Sequence, residues 1–358
     1  MSDQKKSLSE FSVKELDREL VARGAQVPEE NRFEFEDREG THERREIMKQ
    51  VKEFYDAAAS GTTNEELSQF SIQELLDALL IKTRKIQDKQ RAIWVVDGRK
   101  DVFEIEDEQL LENVNCTALI CRENNLIMER GVSTLRVKNY GESFNLCTSE
   151  PFRQQPVLSG SLCTGFLVKE DIIATAAHYA NHKNVKDLRV VFGYKMLNSR
   201  EAVEEIPEEN IYKGVEIIGR DYIGKNAEPD WALVKLDRKV KGQTVAVLSK
   251  DDIFYGQQVY VIGYPLGLPV KLAPGAQVSD FSETCFAATL DIYMGNSGSP
   301  VFCSETHEAI GMVVRGDTRD FRWTGKGWRS IVYPNLRQMT MGPQCTRVSE
   351  FIAVVDKL

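Results

Sequence analysis

The residues best suited to chemistry stand in one short stretch, Gly295-Asn296-Ser297-Gly298-Ser299-Pro300. A serine between two glycines and just before a proline cannot continue a strand or a helix, and glycine permits the backbone angles of a tight turn. Such a turn can lift the Ser297 hydroxyl into a cleft while the N–H groups of Gly295 and Ser297 point at one spot. Each of these donors could stabilise an acyl oxyanion by about 3 kcal/mol. The alternative interpretation is a glycine-rich surface loop.

A nucleophilic serine needs a base, and the chain contains only four histidines: His42, His178, His182 and His307. His178 follows the apolar run Ile172–Ala177, whose small residues leave room for an imidazole at the end of a strand. His182 lies one helical turn later and is expected to be exposed. A single histidine after an apolar run is more often structural, so the prediction that His178 is the base depends on the serine loop.

The base in turn needs an acid that holds its tautomer and stabilises its charged form. Asp230 fits this role, because it opens the apolar run Asp230–Leu236 at the edge of a predicted buried strand. The alternative is an ordinary turn aspartate after Pro229, and other aspartates also lie between His178 and Ser297.

Three blocks together resemble the signature blocks of chymotrypsin-fold serine peptidases, namely Thr175–His178, Asp230–Leu233 and Gly295–Pro300. Three further segments are similar to bacterial trypsin-like peptidases near the glutamyl endopeptidases: Phe144–Pro156, Cys163–Val168 and Val261–Pro269. The resemblance covers about residues 91–358. It implies a mainly β, chymotrypsin-like pair of six-stranded antiparallel barrels with the site between them. It also implies Ser297 as nucleophile, His178 as general base and then acid, Asp230 as the orienting acid, and the N–H groups of Gly295 and Ser297 as the oxyanion hole.

Two residues depart from the pattern of secreted trypsins. Asn296 replaces the aspartate that captures a new N-terminal amine after activation cleavage, and an amide offers no charge to a buried ammonium. We therefore expect no activation by a freed N-terminus. Tyr179 stands where secreted trypsins place a disulfide cysteine, which indicates a reducing compartment.

Several positions bear on substrate preference. Asp291 stands six residues before Ser297, where trypsin keeps the carboxylate at the floor of its specificity pocket, and a buried carboxylate there would favour Arg or Lys before the scissile bond. A structural role in the loop is the alternative. Glutamyl endopeptidases place a histidine where this chain has Val313, so a preference for glutamate is not expected. Arg315 could pair with Asp291 or select an acidic side chain itself. The backbone of Val314, Arg315 and Gly316 is expected to bind the substrate as an added strand.

From Ile93 onward, short apolar runs separated by turns predict strands. The predicted strands are Ile93–Val96, Cys116–Ile120, Gly165–Lys169, Ile172–Thr175, Leu188–Phe192, Val215–Ile218, Trp231–Leu236, Val259–Gly263 and Gly311–Val314. A terminal helix is predicted after Ser349.

Residues 1–88 differ in texture and predict a separate helical module. Leu8–Leu16 returns as Leu67–Leu75, and each copy contains a capping box followed by hydrophobic residues at helical spacing. Such a module suits the docking of a regulatory protein partner, and a plain helical brace on the second domain is the alternative.

Composition limits the classes of function. The chain has 358 residues, 46 basic against 55 acidic side chains and a net charge of −9, which argues against nucleic acid as a partner. No apolar run is long enough for a membrane span. Seven cysteines without a Cys-x-x-Cys pair indicate neither a zinc site nor a disulfide framework, although Cys147 and Cys163 could form a pair. The sequence therefore predicts a cytoplasmic serine endopeptidase of protein substrates without a cofactor. A non-catalytic binding scaffold of the same fold is the alternative.

Overall fold

The structure is a computed structural model, and it describes residues 97–358 apart from 130, 161, 223, 225–228, 317–319 and 331–342. The chain divides into two compact units, residues 1–90 and residues 91–358, and all described residues belong to the second unit. The predicted helical module 1–88 and the predicted strand Ile93–Val96 lie outside the described residues.

Strands dominate the described part of the chain. In chain order they are β1 Lys100–Asp101, β2 Thr117–Arg122, β3 Leu126–Met128, β4 Val132–Leu135, β5 Val137–Asn139, β6 Pro156–Leu158, β7 Cys163–Lys169, β8 Ile172–Thr175, β9 Leu188–Val191, β10 Glu205–Pro207, β11 Ile211–Tyr222, β12 Asp230–Leu236, β13 Gln258–Gly263, β14 Lys271–Phe281, β15 Cys285–Ala288, β16 Pro300–Cys303, β17 Ala309–Arg315, β18 Phe321–Trp323, β19 Trp328–Ser330 and β20 Gln344–Arg347. The α-helices are α1 Glu108–Asn115, α2 Tyr140–Ser143 and α3 Ile352–Val355.

The first barrel is a closed ring of six antiparallel strands in the order β11-β12-β8-β7-β2-β9. Strands β7 and β8 are buried along almost their whole length, which explains why their sequences read as continuous apolar runs rather than alternating ones. One position requires glycine, because a Cβ on Gly165 would lie 2.7 Å from side-chain atoms of both Ile120 and Ile173. Phe351, just before α3, packs against Phe166 and Trp231 of this barrel.

The second barrel is formed by β14, β13, β16, β17, β20 and β15, and the pairing of β15 with β14 closes the ring. A separate apolar cluster fills it, including Val259, Val261, Phe286, Val301 and Val313. Strand β1 adds to the outside of this ring by pairing with the start of β14. The expected mainly β fold with two six-stranded antiparallel barrels is therefore confirmed.

Several elements differ from the sequence-based expectations. Strand β11 runs from Ile211 to Tyr222, far beyond the predicted Val215–Ile218. The sequence pattern did not show its full length, because polar residues occupy most of its outward positions and interrupt the apolar run. The long strand β14 and the strands β15, β16 and β20 were not predicted from periodicity. The predicted terminal helix is present as the single turn α3.

All seven cysteines lie among the described residues, and all are free thiols. The alternative pairing of Cys147 with Cys163 is wrong, because the two sulfurs have different partners. Cys147 Sγ lies 3.3 Å from the hydroxyl of Thr324, and buried Cys163 Sγ donates to the backbone carbonyl of Ser297 at 2.7 Å. Within the described residues, no helix is both long and apolar enough to cross a membrane.

Candidate active site

Asp230 and His178 meet at one end of the first barrel. Strands β8 and β12 are antiparallel neighbours, with Thr175 opposite Ala232. The end of β8 therefore lies beside the start of β12, and His178, three residues past β8, reaches Asp230 at the first position of β12. The ring Nδ1 of His178 is 2.8 Å from Asp230 Oδ2, and the His178 backbone N–H donates to Asp230 Oδ1 at 3.0 Å.

The two side chains differ sharply in exposure. The Asp230 side chain is 1% exposed, whereas that of His178 is 34% exposed. Both carboxylate oxygens of Asp230 are engaged by the same residue, so the imidazole is fixed by its Nδ1 side. Nε2, the ring nitrogen that a general base uses, is the one that Asp230 does not engage.

Residues of the second barrel also contact Asp230. The hydroxyl of Thr346 accepts from the Asp230 backbone N–H and donates to its backbone carbonyl, each at 3.2 Å. Nη2 of Arg315 lies 3.9 Å from Asp230 Oδ2, and Nη1 donates to the side-chain oxygen of Gln344 at 3.3 Å. The sequence left open whether Arg315 pairs with Asp291 or selects an acidic substrate residue; these contacts place it beside Asp230. The sequence does not identify Thr346 and Gln344 as supports of the site, because β20 shows no hydrophobic periodicity.

Ser297 lies in a glycine-dependent turn that leads into β16. Gly295 and Gly298 have φ values of 100° and 82°, which side chains other than glycine rarely adopt. Space is also limiting. A Cβ on Gly298 would lie 2.0 Å from the carbonyl oxygen of Thr164, and one on Gly295 would lie 2.6 Å from that of Tyr264. The turn is closed by the Ser299 N–H, which donates to the Asn296 carbonyl at 2.9 Å.

Hydrogen bonds from β7 tether this turn to the first barrel. The Thr164 backbone N–H donates to the Ser297 carbonyl at 2.8 Å, and the Thr164 hydroxyl donates to the Gly295 carbonyl at 2.9 Å. On the other side, the Gly298 N–H donates to the carbonyl of Val313 in β17 at 2.6 Å. Because β7 is the neighbour of β8 in the barrel, these bonds bring the serine turn to the strand end that carries His178.

Three groups of the turn have no hydrogen-bond partner among the described residues: the Ser297 hydroxyl and the N–H groups of Gly295 and Ser297. Ser297 is half-buried. Within the described residues, its hydroxyl makes no hydrogen bond with the His178 ring, and the N–H groups of Gly295 and Ser297 donate to no protein acceptor. Long or absent catalytic hydrogen bonds are common in unliganded sites and tighten when substrate binds. The two N–H groups remain available to an incoming oxygen.

Asn296 is buried, and its side chain has a neutral partner. Ser299 Oγ donates to Asn296 Oδ1 at 3.1 Å. The close approach of Gly263 adds to this constraint, because a Cβ there would lie 2.4 Å from the same oxygen. The amide is thus held inside its own turn, and within the described residues no Lys or Arg nitrogen donates to its oxygen.

The remaining predicted substrate-binding residues occupy two places. In the pairing of β17 with β20, the register shifts between Val313 and Arg315, so Val314 has no opposite residue in β20. Gly316 follows the end of β17. Gly316 packs on Ile292, where a Cβ would come within 3.0 Å. Asp291 is half-buried, and its carboxyl lies near Asp97 and Arg99 in the segment that leads into β1. Burial raises the pKa of this carboxyl well above its usual range, and Asp97 adds to the rise, while Arg99 and the Gly98 backbone N–H oppose it.

Comparison with known proteins supports a trypsin-like peptidase domain in this part of the chain. Residues 163–312 match the family model described as a trypsin-like peptidase domain, and this region contains His178, Asp230 and Ser297. A solved Glu endopeptidase in complex with MPD is similar at 17% identity, over 74% of this chain and 99% of that chain, with a TM-score of 0.46. An inactivated protease paralogue from the scabies mite is similar at 13% identity, over 69% of this chain and 95% of that chain, with a TM-score of 0.40. No curated protein matches the chain.

Proposed function

We propose that the chain is a serine endopeptidase that cleaves protein substrates through an acyl-enzyme on Ser297. The observation that carries the proposal is the His178–Asp230 pair, with its buried carboxylate, at the barrel end to which the Ser297 turn is tethered. The match of residues 163–312 to a trypsin-like peptidase domain supports the same chemistry.

In this proposal, the Ser297 hydroxyl oxygen attacks the scissile carbonyl carbon while His178 Nε2 takes the hydroxyl proton. The carbonyl oxygen becomes an oxyanion and accepts hydrogen bonds from the Gly295 and Ser297 N–H groups. Asp230 keeps the ring oriented and stabilises the imidazolium. When the intermediate collapses, the C–N bond breaks and the imidazolium gives its proton to the leaving amine. Water then attacks the ester with the same groups in the reverse roles and releases the carboxylic acid and free Ser297.

The substrate backbone would lie along the exposed continuation of β17. Val314 is outside the strand register and Gly316 lacks a side chain, so both can present backbone groups to an extended peptide. For the residue before the scissile bond, the position of Asp291 beside Asp97 and Arg99 favours the structural alternative over a fixed negative pocket floor. A preference for Arg or Lys would then have to come from other groups.

A fluorophosphonate probe tests the proposal directly, because it reacts with an activated serine. We expect wild type to be labelled and Ser297→Ala to be unlabelled. The matched control is Ser304→Ala, which removes an exposed serine just beyond β16 and should leave labelling unchanged. Cleavage-site mass spectrometry on a peptide library would then give the substrate preference. An unlabelled wild type that cleaves no peptide would contradict the proposal.

One observation favours a second function, a binding scaffold that keeps the fold without catalysis: the Ser297 hydroxyl makes no hydrogen bond with the His178 ring in the described part of the chain. A scaffold would bind peptides saturably, leave them intact and resist the probe. The same labelling experiment, combined with a peptide-binding measurement, separates the two functions.

We further propose a cytoplasmic location and a protein partner for residues 1–88. The location is supported by seven free thiols, since oxidising compartments favour disulfides. The partner is suggested by the repeated capping-box segments Leu8–Leu16 and Leu67–Leu75. Pull-down with the full chain and with a variant carrying charged residues at Leu16 and Leu75 would test the partner. Equal capture by both chains would argue against it.

A further inference from the structure

An arginine is buried beside the serine turn in the segment that leads into β1. The Arg99 side chain is only 2% exposed, and its Nε and Nη2 donate to the two carboxylate oxygens of Asp97 at 2.8 and 2.5 Å. Burial works to raise the pKa of Asp97, but the charge and hydrogen bonds of Arg99 outweigh it and lower that pKa. A buried charge destabilises the fold even when it is paired. A buried arginine at this position therefore suggests a specific function.

The guanidinium lies over two aromatic rings. Its carbon lies 4.4 Å from the ring centroid of Tyr293 and 5.1 Å from that of Phe152. Cation–π contacts of this kind are attractive, and the attraction is stronger where the groups are shielded from water. Tyr293 belongs to the chain that enters the serine turn, and its backbone carbonyl accepts from the Asn296 N–H at 3.1 Å. Arg99 thus contacts the turn two residues before Gly295.

A second contact lies next to the first. The carboxyl of Asp291 lies near Asp97 and Arg99, and the Gly98 backbone N–H interacts with it. The segment 97–99 therefore meets the chain at Asp291 and Tyr293, directly ahead of the two proposed oxyanion donors.

The segment itself is anchored to the second barrel. Lys100 and Asp101 pair with Leu272 and Lys271 at the start of β14. The buried Lys271 Nζ donates to Asp101 Oδ1 at 2.5 Å and to Gln155 Oε1 at 2.8 Å. This fixed backbone gives Arg99 a rigid base from which to hold Tyr293.

We propose that Arg99 is a positioning residue that orders residues 291–297 through Tyr293 and Asp291. Its catalytic consequence rests on the proposed function; its ordering of the turn does not. An internal arginine then supplies the buried cation next to the turn, so no freed N-terminal amine is needed, and Asn296 can remain uncharged inside its turn.

Hydrogen exchange in the full-length protein tests the ordering. In Arg99→Met, we expect the amides of residues 290–298 to exchange about tenfold or more faster than in wild type. The matched control is Arg189→Met on β9 of the first barrel. Arg189 is also nearly fully buried, is paired with one carboxylate, that of Glu123, and has one nitrogen without a partner. This control should destabilise the fold without faster exchange in residues 290–298 while the protein is folded.

Two further variants keep the result interpretable. Arg99→Met leaves the Asp97 carboxylate without its partner, which works against folding. If the single variant does not fold, the double variant Asp97→Asn, Arg99→Met removes this charge as well, and it should show the same fast exchange. Arg99→Lys keeps the charge but loses the planar stacking, and it should be intermediate. Unchanged exchange in residues 290–298 of a folded Arg99 variant, or an equal increase in Arg189→Met, would overturn the proposal.

Probe labelling extends the test to catalysis. At equal folded fraction, Arg99→Met should label with fluorophosphonate about tenfold or more slowly than Arg189→Met, because the oxyanion donors are displaced. Equal labelling rates would overturn the catalytic consequence. A wild type that does not label, with the exchange difference still present, would defeat the proposed function and leave the ordering role of Arg99 intact.

Discussion

Thr164 and Ser297 are joined across the two barrels by a hydrogen bond from the Thr164 backbone N–H to the Ser297 carbonyl, 2.8 Å long. The same threonine uses its side chain twice. Its hydroxyl donates to the Gly295 carbonyl at 2.9 Å and accepts from the Tyr264 backbone N–H at 3.1 Å. One residue of β7 thereby determines where both proposed oxyanion donors lie relative to the first barrel.

Replacement of this hydroxyl should therefore affect stability and reactivity together. Thr164→Val keeps the shape of the side chain but leaves the buried Tyr264 N–H and the Gly295 carbonyl without a partner. We expect a loss of about 1–3 kcal/mol in the free energy of unfolding, measured by urea denaturation, and slower probe labelling. Thr164→Ser retains the hydroxyl and should recover most of both. If Thr164→Val labels like wild type, the hydroxyl does not position the turn.

Asp230 should matter for turnover far more than for folding. In Asp230→Asn, an amide replaces the carboxylate that holds His178 Nδ1 at 2.8 Å, so the ring loses both its orientation and the stabilisation of its charged form. By the known behaviour of such triads, kcat should fall by about 10⁴, measured with a peptide substrate. Asp251→Asn, at an exposed loop position, is the control. A loss smaller than tenfold would show that another acid orients the base.

The residues of the candidate site leave clearer signals in the sequence than the elements that hold them. Ser297, Gly295 and Gly298 are visible in sequence, because only glycine tolerates the positive φ values and close contacts of the turn. The meeting of His178 with Asp230 follows from two strongly apolar runs that become neighbouring strands. Such local signals survive in a sequence without any knowledge of the tertiary structure.

The supporting contacts could not be predicted, because they depend on partners far apart in the chain. Thr346 and Arg315 reach Asp230 from the second barrel, and Arg99 reaches Tyr293 from the segment before β1. Strand β14, with small and polar residues in its middle, lacks the alternation that marks a strand. Periodicity reports which face of an element is buried but not which residue covers it.

Arg315 should influence catalysis without selecting substrates. Its guanidinium is engaged by Gln344 and lies 3.9 Å from Asp230, so it acts on the groups that orient His178. Arg315→Met should change kcat/KM by a similar factor for peptides with Arg, Glu or Leu before the scissile bond. The measurement is kcat/KM for the three peptides in parallel. A loss confined to the Glu peptide would instead identify Arg315 as the residue that recognises an acidic side chain.

Asp291 should reveal its environment through the pH dependence of stability. Burial raises the pKa of its carboxyl in the folded state, whereas in the unfolded chain the pKa is about 4. Above pH 4, the unfolded state releases this proton more readily than the folded state, so wild type loses stability as the pH rises from about 4 through the folded-state pKa. Asp291→Asn has no proton to lose. Its free energy of unfolding relative to wild type should therefore increase with pH and then level off. Urea denaturation at several pH values between about 4 and 9 measures this difference. A difference that stays constant or falls with pH would mean that the carboxyl is charged in the fold, and it would restore Asp291 as a negative pocket floor.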